Sequence, residues 1–202
     1  MSPRFRVLDR GFVFDMVTAE EYLTLELGSE KRREFWNGRI VETAVNTPEH
    51  NEIASSFFYL LKAALRKYPY SIFITDQRLW IPQANCYTYP DVMVTPRPPE
   101  RQAARNDTVV NPLLVAEVLS TSTQGYDRGE KFAHYRTIET LREYVLIDQY
   151  RAQVEVYVKQ EENQWLFREF SGLDARFGLE AIGVEIALAE LYETLEIGQV
   201  KF

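Results

Sequence analysis

The sequence predicts an α/β (α+β) fold, a mixed β-sheet flanked by helices, and three observations carry that expectation. Glu49–Lys67 places apolar residues at Ile53, Phe57, Leu60, Leu61, Ala64 and Leu65, the spacing of one helical face. Leu113–Leu119 is apolar except for Glu117, the pattern of a strand buried on both faces. Around them lie short runs rich in β-branched and aromatic residues, punctuated by proline, glycine and asparagine. At 202 residues, 46% of them hydrophobic, the chain is expected to form one domain around its own core.

Residues 1–17 read as an N-terminal arm. Thr18, followed by Glu20 and Glu21, is placed to cap a short helix. That helix should end near Leu27–Gly28, where glycine can take a left-handed cap. Arg33–Thr43 reads as two strands about Asn37–Gly38, the strongest hairpin signal in the chain; helix and hairpin together form an N-terminal addition to the core. The long helix Glu49–Lys67 is stopped by Pro69. Ser71–Thr75, Arg78–Pro82 and Tyr87–Thr95 read as strands, and Arg97–Asn111, with Pro98 and Pro99, as a loop. After the Leu113–Leu119 strand come a helix from about Tyr126 to Glu139, a strand Glu143–Asp148, and a hairpin Gln153–Lys159 with Gln164–Phe170. Ile186–Leu191 is read as a short closing helix.

Composition excludes several classes. The lone Cys86 rules out an intrachain disulfide and suits a reducing compartment. The start, Met1-Ser2-Pro3-Arg4-Phe5-Arg6, is basic but lacks the apolar run of a secretory signal, and no stretch is long enough to cross a bilayer. A soluble, cytoplasmic protein is therefore expected. The net charge of −7 argues against a non-specific nucleic-acid binder, whose affinity rests on lysine and arginine. It leaves room for a nuclease, because an acidic site recruits cations. Arg97, Arg101 and Arg105 read either as a local backbone-docking patch or as an ordinary solvated loop. There is no glycine-rich phosphate loop, no nucleophile elbow, and no zinc-ligand cluster.

The chemistry concentrates elsewhere. Glu117 lies in Leu114-Val115-Ala116-Glu117-Val118-Leu119, where an unpaired carboxylate would cost several kcal/mol to desolvate. A strand tolerates such a group when it opens onto a cavity, meets a cation or binds a metal. Asp91, in Tyr89-Pro90-Asp91-Val92, has a similar setting. Either acid alone is explained by backbone donors or an arginine; as a pair on neighbouring strands they suit a magnesium-dependent phosphodiesterase, with Mn2+ as a substitute. Asp127, Lys131 and Tyr135 recur every fourth residue on the following helix, with His134 off their stripe. Ser120–Thr123 joins strand to helix directly, so this stripe can fold back over the acids.

Together, Pro90-Asp91-Val92, Val115-Ala116-Glu117-Val118-Leu119-Ser120, Asp127, Lys131, Tyr135 and Glu143-Tyr144-Val145-Leu146-Ile147-Asp148 resemble the bacterial Uma-two family of restriction endonuclease-like proteins, within the PD-(D/E)XK nuclease superfamily. The resemblance runs from about Thr18 past Asp148. It implies a restriction-endonuclease-like core, a DNA substrate, Asp91 and Glu117 as metal ligands, and cleavage leaving a 5′ phosphate. The superfamily's lysine, two residues after the second acid, is replaced here by Leu119; Lys131 is the candidate substitute. Glu34 or Glu52 would supply a third carboxylate, the superfamily's use of its first core helix favouring Glu52.

In this reading Lys131 orients or deprotonates the attacking water or stabilises charge at phosphorus, Asp127 holds Lys131, and Tyr135 contacts the phosphate or supports the helix. His50 reads as a site base, a metal ligand or an exposed helix-start residue. A second hypothesis keeps the fold without turnover, as a module binding nucleic acid or protein. Cutting both strands of a duplex would suit a homodimer, with Trp36, Trp80 and Trp165 as interface or core residues.

Overall fold

The computed structural model describes residues 4–8, 11–15, 17–30, 32–42 and 46–195. Along the chain run β1 (Arg4–Leu8), β2 (Gly11–Asp15), α1 (Ala19–Leu27), β3 (Arg33–Trp36), β4 (Arg39–Glu42), α2 (Pro48–Ala64), β5 (Tyr70–Ile74), β6 (Arg78–Ile81), β7 (Cys86–Thr88), β8 (Val92–Pro96), β9 (Thr108–Val109) and β10 (Leu114–Leu119). A helical segment follows in three parts: α3 (Gln124–Tyr126), a π turn (Asp127–Lys131) and α4 (Phe132–Tyr135). The chain continues through β11 (Glu143–Asp148), β12 (Gln153–Glu161), β13 (Gln164–Ser171), β14 (Arg176–Leu179), β15 (Val184–Ala187) and α5 (Leu188–Leu191).

The central sheet has six strands in the order β13-β12-β11-β10-β8-β5. Only β10 and β11 pair in parallel within it. Side-chain alternation splits its two faces. Val92, Val94, Ala116, Val118, Val145 and Ile147 meet Ile53, Phe57 and Leu61 of α2 and Leu65 at its C-terminal cap. Met93, Val115, Leu119, Tyr144 and Leu146 meet Phe132 and Tyr135 on the other face, together with Leu79, Ile81 and Cys86 of a second sheet. That second sheet has the order β1-β2-β4-β3-β7-β6-β9. Glu117, of the same parity as Val115 and Leu119, faces this second layer.

Local sequence explains the main elements. Thr18 caps α1 through a capping box with Glu21, and Thr47 caps α2 ahead of Pro48 at its first turn. Asn37 and Gly38 turn the β3–β4 hairpin with φ of 43° and 95°, the left-handed pair that its two-residue loop requires.

Several expectations are corrected. Tyr87–Thr95 is not one strand: β7 and β8 belong to different sheets, and Tyr89–Asp91 is the crossing between them. Pro90 has no N–H to offer a ladder, so the strand breaks there. Gly28 closes α1 at φ −104°, without the left-handed cap. The helix expected to reach Glu139 ends at Tyr135. Ile186–Ala187 ends strand β15, and only Leu188–Leu191 is helical. The N-terminal arm carries the β1–β2 hairpin, which extends the second sheet. Residues 1–3, 9–10, 16 and Thr43, the expected end of the early hairpin, lie outside the described residues. Among the described residues no helix is long and apolar enough to cross a membrane.

Candidate metal centre between the two sheets

Asp91 owes its position to the break at Pro90. Pairing between β8 and β10 runs out at Val92 opposite Ala116, so the Val118 N–H has no strand partner on that side. Asp91 Oδ2 accepts it at 2.8 Å, and the carboxylate thereby completes the ladder that the backbone has left. His50 Nε2 lies 3.1 Å from the same oxygen. Oδ1 of Asp91 accepts no hydrogen bond among the described residues.

Glu117 stands mid-strand, opposite Leu146 of β11, and is only 3% exposed. Its Oε1 accepts the Tyr135 hydroxyl at 2.6 Å and lies 2.8 Å from the Lys131 ammonium. Its Oε2 has only the Asp91 N–H, at 3.5 Å. Each acid therefore has one oxygen held by strong protein donors and one left nearly free, and the free side of Glu117 faces Asp91.

Lys131, 7% exposed, is ringed by acids. Besides Glu117, its Nζ lies 3.7 Å from Glu34 Oε1 and 3.8 Å from Asp127 Oδ1. Glu34 comes from β3 in the second sheet, where it is steadied by the Thr88 hydroxyl at 2.5 Å and the Trp36 indole N–H at 3.0 Å. Asp127, Lys131 and Tyr135 reach the cluster together because their segment mixes helix types. In a regular α-helix a four-residue step overshoots one turn by about 40°. The wider π turn from Asp127 to Lys131 undershoots it, so the two deviations offset and the three side chains stay in line.

The electrostatics follow from burial. Desolvation pushes the Glu117 carboxyl up to about 8, with Asp91 and Asp127 adding to the rise and Lys131 opposing it. Asp127 is raised by desolvation too. For Lys131 desolvation pulls downward, but Glu117, Glu34 and Asp127 outweigh it and hold the ammonium well above its ordinary range. One cation is thus surrounded by more carboxylates than it can neutralise.

A hard divalent cation suits this donor set. Among the described residues no three His, Cys, Asp or Glu side chains close around a single point. Magnesium needs fewer, being held commonly by one or two carboxylates with water filling its shell. The free oxygens of Asp91 and Glu117 supply that number.

The other sequence candidates fall as follows. His50 is buried at the start of α2 and joins the cluster through Asp91. Glu52 is exposed and makes none of these contacts, whereas Glu34 does. Arg105 is engaged by Asp107 through two hydrogen bonds, and Arg97 donates to the Tyr70 carbonyl, so the arginine segment is partly committed to internal contacts. Sequence reasoning overlooked Thr88, Trp36 and the Val118 N–H. The pairing of β3 with β7 brings Thr88 to Glu34, and no local motif announces it; Trp36 reaches Glu34 from two residues along the same strand.

A family model described as "Putative restriction endonuclease", Uma2, matches residues 19–189. The chain belongs to this family. It is similar to the uncharacterized protein sll1609 of Synechocystis, 42% identical over 160 residues that cover 79% of this chain and 90% of that one. A second uncharacterized Synechocystis protein, slr1290, is 31% identical over 182 residues, 90% of this chain and 94% of its own. The crystal structure of a "putative nuclease belonging to DUF820" from Anabaena variabilis superposes with a TM-score of 0.72 at 19% identity, covering 88% of this chain and 98% of that one. That likeness is one of fold, and the mixed α/β architecture expected from the sequence is the one observed.

Proposed function

We propose that this protein is a divalent-metal-dependent DNA endonuclease whose centre is formed by Asp91, Glu117 and Lys131. One observation carries the reading: the less engaged oxygen of Glu117 lies 3.5 Å from the Asp91 backbone nitrogen, bringing the two acids together, with an ammonium 2.8 Å from the other oxygen of Glu117. Membership of a family described as restriction endonucleases supports the substrate class.

Asp91 and Glu117 would hold Mg2+ or Mn2+, which when bound supplies Lewis-acid polarisation of the phosphate and acidifies a water. Lys131 places positive charge where the attacked phosphate gathers negative charge. Glu34 and Asp127 keep that ammonium from swinging away, and Tyr135 fixes the rotamer of Glu117. Water adds to phosphorus, the bond to the 3′ oxygen breaks, and the products carry a 5′ phosphate and a 3′ hydroxyl.

The test is nicking of supercoiled plasmid in Mg2+ or Mn2+. Asp91→Asn and Glu117→Gln should abolish it while circular dichroism reports an intact fold. Protein that binds DNA yet never cuts it with any divalent metal would sink the reading.

The second reading, a silent nuclease-fold module, is favoured by a specific feature. Glu117, Asp127 and Lys131 are 3%, 3% and 7% exposed, so the ammonium already engages the acid it would have to leave open. In that case Asp91→Asn would leave DNA or partner binding unchanged.

A further inference from the structure

His50 is the third residue of α2, and its surroundings fix it closely. Its backbone N–H donates to the Thr47 hydroxyl at 3.2 Å. Thr47 in turn donates to Gln149 Oε1 at 2.8 Å, and the Gln149 amide donates to the Leu119 carbonyl at 2.8 Å. The first turn of α2 is thereby tied to the end of β10, the strand that carries Glu117.

The imidazole points inward. Nε2 lies 3.1 Å from Asp91 Oδ2, within reach for an Nε2–H to donate to the carboxylate. Nδ1 is buried and has no partner among the described residues. Neither nitrogen is thus available to take a proton from substrate or to bind an ion directly: one is engaged by Asp91 and the other is enclosed. A side chain present for packing alone would be apolar here, since a buried acceptor left unpaired is unfavourable. What histidine supplies is its donation to Asp91.

That donation has a definite effect. Oδ2 of Asp91 is met from two different elements, by the His50 imidazole of α2 at 3.1 Å and by the Val118 N–H of β10, which it accepts at 2.8 Å. Together they fix the carboxylate plane and leave Oδ1 directed away from both. We propose that His50 is a positioning residue that orients Asp91 for divalent-cation binding. The inference rests on the reading of Asp91 and Glu117 as a metal centre. It adds a residue outside the ligand set that governs affinity through one of the ligands, as outer hydrogen-bond partners do at other metal sites.

Manganese is the probe, with its binding to the full chain followed by electron paramagnetic resonance and by calorimetry. His50→Leu removes the donor and keeps the volume; its Kd for Mn2+ should weaken by about tenfold or more, while the thermal midpoint stays at or above that of the parent. His50→Gln, whose amide nitrogen reaches nearly as far as Nε2, should recover most of the affinity. If His50→Leu does not fold, His50→Asn, polar but too short to reach Oδ2, provides the same contrast with His50→Gln. Equal Mn2+ affinity in the parent and the donorless variants overturns the role of His50 and leaves the metal centre standing. A parent chain that binds no Mn2+ at millimolar concentration overturns the metal centre, and the inference with it.

Discussion

Lys131 Nζ and Glu117 Oε1 are 2.8 Å apart in a region closed to solvent, and this pair holds the two sheets' polar groups together. Glu117 belongs to the central sheet, while Glu34, 3.7 Å from the same ammonium, belongs to the other. Lys131 is therefore a structural tie as well as a functional candidate.

Lys131→Met should destabilise the protein by about 3–5 kcal/mol, the usual consequence of leaving buried carboxylates without their counter-charge. Urea unfolding followed by tryptophan fluorescence measures it. A loss below about 1 kcal/mol would mean that the acids already carry protons in place of the ammonium's support.

Glu34 and Glu52 should separate cleanly. Glu52 is exposed on α2, so Glu52→Ala should change stability by less than about 0.5 kcal/mol and leave plasmid nicking intact. Glu34 accepts from Thr88 and Trp36 and faces Lys131; Glu34→Ala should cost about 2 kcal/mol or more and slow nicking. The reverse ranking would restore Glu52 as the third acid.

Tyr135→Phe removes the 2.6 Å donation to Glu117 Oε1 and leaves Lys131 as the donor there. Above about pH 8, where Glu117 is ionised, the expected loss is about 1.5–3 kcal/mol, the range for a hydrogen bond to a charged group, with the ring packing against Tyr144 preserved. If stability is unchanged, the tyrosine is not helping to hold the acid in its ionised form.

Glu143 gives the pH dependence. It is fully buried, its Oε1 accepts the Glu180 N–H, and its Oε2 is unpartnered. Desolvation raises its carboxyl from 4.5 to about 7. Below pH 4.5 folded and unfolded chains both hold the proton, so the group is neutral to stability. Between 4.5 and 7 the unfolded chain releases it first, and stability falls until both states are ionised. The full loss is about 3 kcal/mol. Glu143→Gln should therefore gain on the parent as pH rises from 5 to about 8, read from urea midpoints across that range. A pH-independent difference would rule out the burial argument.

Much of the fold was legible where local chemistry is decisive. Asn37–Gly38 can form little other than a tight hairpin, and the apolar run Leu114–Leu119 can only be a covered strand. The Asp91–Glu117 pairing was readable because both acids interrupt apolar stretches. Other features depend on contacts distant in sequence. The passage of the chain from one sheet to the other at Pro90 shows no change in apolar pattern, since Tyr87 and Val92 are both buried. The choice of Glu34 over Glu52 follows from β3 packing beside β7, more than fifty positions away. His50 sits where helix-start residues are ordinarily wet, and only the Thr47–Gln149 link turns that end inward. The π turn left no trace, because Asp127, Lys131 and Tyr135 also satisfy a regular four-residue repeat.

That same turn has an evolutionary implication. Its surplus residue is a removable part: a one-codon deletion between Asp127 and Lys131 would relax the segment to an ordinary helix, keeping Phe132 and Tyr135 seated on the sheet. Three regular residues span about 300°, close to what four residues of the wider turn span, so Asp127 would stay near its present bearing on Lys131. A lineage can thus shorten this segment by one residue and still inherit a folded protein with acid and ammonium facing, so the width of that one turn is the feature to inspect when aligning kin.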